Sequence, residues 1–224
     1  MIVIFFLFSF IYIVIIYLLQ IDYFAPDKII KKKFKLTPRK NISAKIKDGE
    51  IIHFLGSIEI ITEPLISPLS KRECALFSIE VQEKSSGGKI NNWESIINKD
   101  VITTYLIKNN NYYSMIYCDN VESQIIKDFN IKSDFYNGGN ENLINYINQY
   151  GYNEKNIFGI NKSFKGFEGV LQEGDIVAVL GKGSWQNAID FDLPEKYGKI
   201  LVIYSDDKEP VYLTNDTDII RGKY

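Results

Sequence analysis

The chain has 224 residues, of which 46% are hydrophobic and 24% are charged, so it is long enough for one domain with a buried core. From residue 48 onward the chain has 17 basic and 26 acidic side chains, which gives a formal net charge of −9. That acidity argues against nucleic acid as a partner, because phosphate backbones repel it. Two cysteines and one histidine are too few for a tetrahedral Cys/His zinc site, and neither a metal nor a cofactor is predicted.

The first 19 residues carry no charged side chain. As a helix they would span roughly 28 Å, close to the thickness of the hydrocarbon core of a bilayer. A cleaved signal peptide would need a basic start, a shorter apolar core and a small-residue cleavage site, and residues 1–24 show none of these. Residues 1–20 are therefore predicted to form a single transmembrane helix.

A basic segment follows the apolar run. Nine basic residues lie between positions 28 and 47, with no acidic residue among them. Basic flanks stay on the cytoplasmic side, so residues 21–47 are predicted to be a basic juxtamembrane linker that keeps the following domain in the cytoplasm. Such clusters also rest on anionic lipid headgroups. The lysines expected at the membrane surface are Lys28, Lys31, Lys32, Lys33 and Lys35.

Residues 48–224 read as one β-rich domain. In the stretch 50–62, alternate positions such as Ile52 and Phe54 form a buried face, and His53 lies on the wetter face, where a surface histidine is expected. Closely spaced strands of this kind predict a mainly β (α+β) fold, either a β-sandwich or a distorted barrel, with one or two short helices. Further strands are predicted at 74–83, 101–107, 112–118, 121–127, 164–170, 175–181, 199–204 and 211–214.

The segment 130–162 differs in composition, being rich in Asn, Lys, Tyr and Gly. It is predicted to be a weakly constrained excursion that carries one helix near 141–149. Asn140 is its expected N-cap, and the expected apolar stripe comprises Leu143, Ile144 and Ile147.

No catalytic constellation is evident. Nucleophilic catalysis needs a base within reach of the nucleophile, and His53 lies mid-strand without a serine or cysteine signature around it. Gly181-Lys182-Gly183-Ser184 lacks the earlier glycine of a phosphate loop, which favours a strand-ending turn. Cys74 and Cys118 are expected to be reduced and buried. A protein without enzymatic activity is favoured.

Several segments, taken in order, resemble one family. They are Thr37-Pro38, Asp48-Gly49-Glu50, the strand with Gly56, residues 65–70, Cys74, Trp93, and residues 167–175. Over roughly 37–215 the chain is similar to the GIDE domain, also called BAM ("beside a membrane"), which lies between the membrane spans of a mitochondrial E3 ubiquitin ligase. The high Ile, Asn, Lys and Tyr content suggests an AT-rich, bacterial genome. The chain has too few Cys and His residues for the two zinc sites of a RING.

Two functions follow from the sequence and the resemblance. The first is a membrane-anchored, non-catalytic binding or scaffold module, with membrane lipid and an unidentified protein as partners. The second is a component of a ubiquitin-like E3 ligase pathway, which the resemblance alone implies. A stiff proline-containing loop beside an aromatic side chain suits recognition, although the same residues can instead preserve the fold. The expected binding surface comprises Pro64, Leu65, Ser67, Pro68, Leu69 and Trp93.

Overall fold

The computed structural model describes residues 26–85, 92–133, 140–155 and 159–224. Within these ranges the helices are α1 (Pro26–Leu36), α2 (Glu141–Gln149) and α3 (Thr217–Ile220), with 3₁₀ turns at Ala188–Phe191 and Glu195–Tyr197. The strands are β1 (Glu50–Ile60), β2 (Leu65–Ile66), β3 (Glu73–Cys74), β4 (Leu76–Lys84), β5 (Trp93–Ile102), β6 (Tyr105–Asn109), β7 (Tyr112–Ile116), β8 (Val121–Gln124), β9 (Phe129–Ser133), β10 (Phe164–Leu171), β11 (Ile176–Asn187), β12 (Lys199–Tyr204) and β13 (Val211–Thr214).

Five strands close into a small barrel. They run in the order β1-β6-β7-β12-β11, and an antiparallel pairing of β1 with β11 closes the ring. Strands β13 and β8 extend the sheet from the side of β11. The β7–β12 and β13–β8 pairs are parallel. The mainly β class is thereby confirmed, and of the two predicted architectures the barrel is the one that forms.

Alternation along β1 fills the barrel. Ile52, Phe54 and Ile58 are each 1% exposed and belong to the main apolar cluster. At Gly56 a Cβ atom would lie 2.5 Å from the Ile107 side chain, so only glycine allows β6 to approach β1 this closely. The predicted face of this strand is therefore confirmed.

A second sheet packs beside the barrel in the order β5-β4-β10-β9. Helix α2 covers it with Leu143 and Ile147, both fully buried, while Ile144 is half-buried. The Asn140 side chain accepts a hydrogen bond from the backbone N–H of Asn142 at 3.0 Å. The predicted helix, its cap and its apolar stripe are confirmed, whereas β5 and β9 were not predicted.

Helix α1 lies on the outer wall of the barrel. Ile30 and Phe34, 3% and 0% exposed, pack with Leu180 of β11, Tyr212 of β13 and Ile219 of α3. Part of the predicted juxtamembrane linker is thus an element of the folded domain. No helix in the described part of the chain is both long and apolar enough to cross a bilayer. The predicted transmembrane segment, residues 1–20, lies outside the described residues.

The expectation of a surface histidine is wrong. His53 is 0% exposed, because α1 covers its face of the barrel. The Phe34 ring lies edge-on with its centroid 4.9 Å from that of His53. The His53 Nδ1 donates to the carbonyl oxygen of Thr37 at 2.8 Å, and its Nε2 is buried without a hydrogen-bond partner.

Candidate functional site

The predicted binding connection folds into the short β2–β3 hairpin. Ser67 and Leu69 are 0% and 2% exposed, so neither side chain is accessible to a partner. Pro64 is exposed, and Leu65 and Pro68 are half-buried. Only the rim of the predicted surface is therefore open to solvent.

Glu168 of β10 organises this connection. Its side chain is 0% exposed and accepts hydrogen bonds from the backbone N–H groups of Leu69 and Ser70, at 2.8 Å and 3.1 Å. The Ser70 hydroxyl also donates to this carboxylate. Buried carboxylates are tolerated where several donors surround them. Sequence reasoning assigned Glu168 no role, although it lies on the same face of β10 as the buried Phe164 and Val170.

Arg72 completes the network. Its Nε donates to the Ser70 hydroxyl oxygen at 2.8 Å, and its two Nη atoms bind the Asp128 carboxylate at 2.7 Å and 2.8 Å. The guanidinium holds the pKa of Asp128 below its ordinary value. The Ser67 hydroxyl oxygen accepts from the Arg72 backbone N–H at 3.0 Å. These polar groups face one another, which supports a structural role for the buried part of the motif.

Cys74 sits at the end of the hairpin, fully buried as predicted. Burial, assisted by the negative charge of Glu168, raises the pKa of the thiol to about 11. The thiol is thus protonated at neutral pH and points to the Leu65 carbonyl oxygen at 3.7 Å. A protonated buried thiol is a poor nucleophile. Cys118 is also free, but it is half-exposed and lies between β7 and β8.

Trp93 is separated from the buried part of this connection. It begins β5, is half-buried, and its ring centroid lies 3.9 Å from the Lys165 ammonium. On β10, Lys165 and Gly166 point to opposite faces. Leu69 packs on the Gly166 face, so Leu69 and Trp93 lie on opposite sides of the four-stranded sheet. The structure does not bring these two predicted binding residues together.

The five lysines of α1 fall into two groups. Lys31 pairs with the largely buried Asp216 at 3.2 Å, and Lys33 pairs with Glu209 at 2.5 Å, so both tie the helix to the domain. Lys28, Lys32 and Lys35 are exposed. Helical spacing at i, i+4 and i+7 places these three on the face away from Ile30 and Phe34. Helix α1 therefore has a basic face that points to solvent and an apolar face that packs on the barrel.

A cleft of about 640 Å³ opens where β7 and β8 separate. Its walls come from the end of β5, the start of β6, the β7–β8 turn and β13. The lining combines apolar side chains with hydroxyls and two carboxylates, and sequence reasoning gave no signal for it. Elsewhere in the described part of the chain, no group of three Cys, His, Asp or Glu residues is arranged to hold a metal ion.

Comparisons of the chain with protein-family models, with curated proteins and with solved structures found no match. The GIDE/BAM resemblance therefore stays a prediction from the sequence.

Proposed function

We propose that this protein is a membrane-anchored, non-catalytic binding module of the GIDE/BAM type, with its β domain on the cytoplasmic side of the membrane. The observation that carries the proposal is the docking of α1, which follows the apolar N-terminal run and packs on the barrel through Ile30 and Phe34.

The connection between anchor and domain is short. Six residues separate Leu19 from Pro26, the first residue of α1. Even fully extended, that connection reaches at most about 25 Å. A transmembrane helix ending near Leu19 would hold the barrel close to the bilayer surface, because α1 is fixed to the barrel by apolar contacts and ion pairs.

Charge supports the same arrangement. The portion after residue 47 carries a formal balance of −9, so an anionic bilayer surface repels it. The outward lysines Lys28, Lys32 and Lys35 counter that repulsion, at about 1 kcal/mol for each lysine near the surface. The effect is confined to roughly 8–10 Å by salt, which is the zone that a juxtamembrane helix occupies.

The chemistry of the buried groups supports binding over catalysis. Cys74 holds its proton at neutral pH, His53 lies under α1, and Glu168 is occupied by donors from its own chain. These three buried side chains are thus engaged in holding the fold.

Fractionation of cells that express the full chain with a C-terminal tag tests the proposal. The tagged chain is expected in the membrane fraction after alkaline carbonate washing, and a chain lacking residues 1–20 is expected to be released. Protease added to intact spheroplasts should spare the domain, and protease added to inverted vesicles should digest it. Release of the full chain by carbonate, or its digestion in intact spheroplasts, would contradict the proposal.

A further inference from the structure

The cleft between β7 and β8 has the dimensions of a small-molecule site. Its volume of about 640 Å³ lies within the range of roughly 300–1,000 Å³ that is typical of ligand pockets. Ile102, Ile116 and Val121 contribute accessible apolar surface to its lining. An apolar ligand body placed there would leave water and cover these apolar side chains.

The charge of the cleft has one sign. Asp100 and Asp119 line it, and no lysine, arginine or histidine does so among the described residues. Asp119 is exposed in the β7–β8 turn, and Asp100 accepts a hydrogen bond from the Ser123 hydroxyl. Two carboxylates beside apolar walls attract a cation, and they disfavour an anion of the same shape.

The hydroxyl of Tyr105 is a separate indication of a ligand. Tyr105 is 9% exposed and lines the cleft, and its hydroxyl has no hydrogen-bond partner in the described ranges. Burial raises the pKa of this phenol, which keeps it neutral. A hydroxyl at the wall of a cleft that pairs with no group of its own chain is available to an occupant of that cleft. The phenol oxygen is an acceptor suited to an ammonium N–H.

We propose that this cleft binds a small organic cation, an amine carried on an apolar body. The ammonium lies near Asp119 and Asp100 and donates to the Tyr105 hydroxyl oxygen, while the body packs on Ile102 and Ile116. The inference rests on the proposed binding function and names the class of its ligand.

Calorimetric titration of the full chain in non-ionic detergent with 2-phenylethylamine tests the proposal. Saturable binding is expected, at least about tenfold tighter than that of 2-phenylethanol, which has the same body without the charge. Methylamine has the charge without the body, and 3-phenylpropionate reverses the charge; both are expected to bind at least about tenfold more weakly.

Two substitutions locate the site. Tyr105→Phe keeps the ring, so the variant should fold with an unchanged or higher melting temperature while its affinity for the amine falls about tenfold. Asp119→Asn should lower the affinity for the amine by a similar factor. The matched control is Glu195→Gln, which removes the same charge from an exposed 3₁₀ turn that does not line the cleft and should leave affinity unchanged.

Absence of saturable binding, equal binding of the amine and the alcohol, or unchanged affinity in both cleft variants would overturn the proposal. The two proposals fail separately. A chain that binds the amine but is released by carbonate would refute the membrane anchor alone. A chain that is retained but does not bind the amine would refute the cation site alone.

Discussion

Replacing Glu168 by glutamine should destabilise the protein strongly. The carboxylate offers two acceptor oxygens, one to the N–H of Leu69 and one to the N–H and hydroxyl of Ser70. Glutamine keeps one oxygen and turns an NH₂ group toward the other donors. At least one buried donor is then unpaired, at a cost of about 1–3 kcal/mol, and the remaining hydrogen bonds lose their charge assistance.

A total near 3 kcal/mol is a large part of the roughly 5–15 kcal/mol that stabilises a typical domain. For a domain of this size it corresponds to a fall in melting temperature of roughly 6–12 °C. Thermal unfolding of the full chain in detergent, followed by near-ultraviolet circular dichroism, measures this shift. The matched control is Glu73→Gln, an exposed position in the same hairpin, which should change stability by no more than about 0.5 kcal/mol. Equal shifts in the two variants would refute the assignment of Glu168 as the organising group.

Two further predictions use the same thermal assay. Burial lowers the pKa of His53 below its ordinary value of 6.5, so the unfolded chain binds a proton that the folded chain does not. The stability present above about pH 6.5 is therefore lost as the pH falls through the folded-state pKa. Because His53 is the only histidine in the sequence, His53→Leu should flatten the pH dependence of the melting temperature between about pH 7 and pH 5. An unchanged slope in that variant would exclude His53 as its source. Trp93→Ala should cost about 1 kcal/mol, the scale of a partly exposed cation–π contact, whereas a loss of about 3–5 kcal/mol would mark Trp93 as a core residue.

Alternation predicted the strands that bury one face, and it failed where burial is sparse. Strand β1 and helix α2 were placed near their observed bounds because their apolar residues keep a clear period. Strand β5 forms a sheet edge, and Ile97 is the one buried residue along it, so the strand carries little apolar signal. The strand β9 is mostly half-buried or exposed for the same reason.

The sequence pattern did not predict which elements cover the outer faces of the barrel. The i, i+4 pair Ile30 and Phe34 lies within a lysine-rich stretch that reads as a solvated linker. Because α1 was not predicted to pack on the barrel, His53 was expected at the surface. Glu168 posed a similar difficulty, because its partners in the connection lie 98 and 99 residues away along the chain. The predicted loop was thus identified by position, while its supporting carboxylate was not.

The docking of α1 also has a consequence for biosynthesis. Just after α1, Arg39 donates to the carbonyl oxygens of Ile219 and Ile220 at 2.9 Å, 180 and 181 positions later in the chain. At about 5–20 residues per second, a ribosome needs roughly 10–40 s to synthesise that partner after α1 emerges. In a chain whose apolar N-terminus enters the membrane during synthesis, the stripe of Ile30 and Phe34 meets the bilayer interface before its barrel wall exists. Nascent α1 is therefore expected to rest on lipid first and to transfer to protein only when translation is nearly complete.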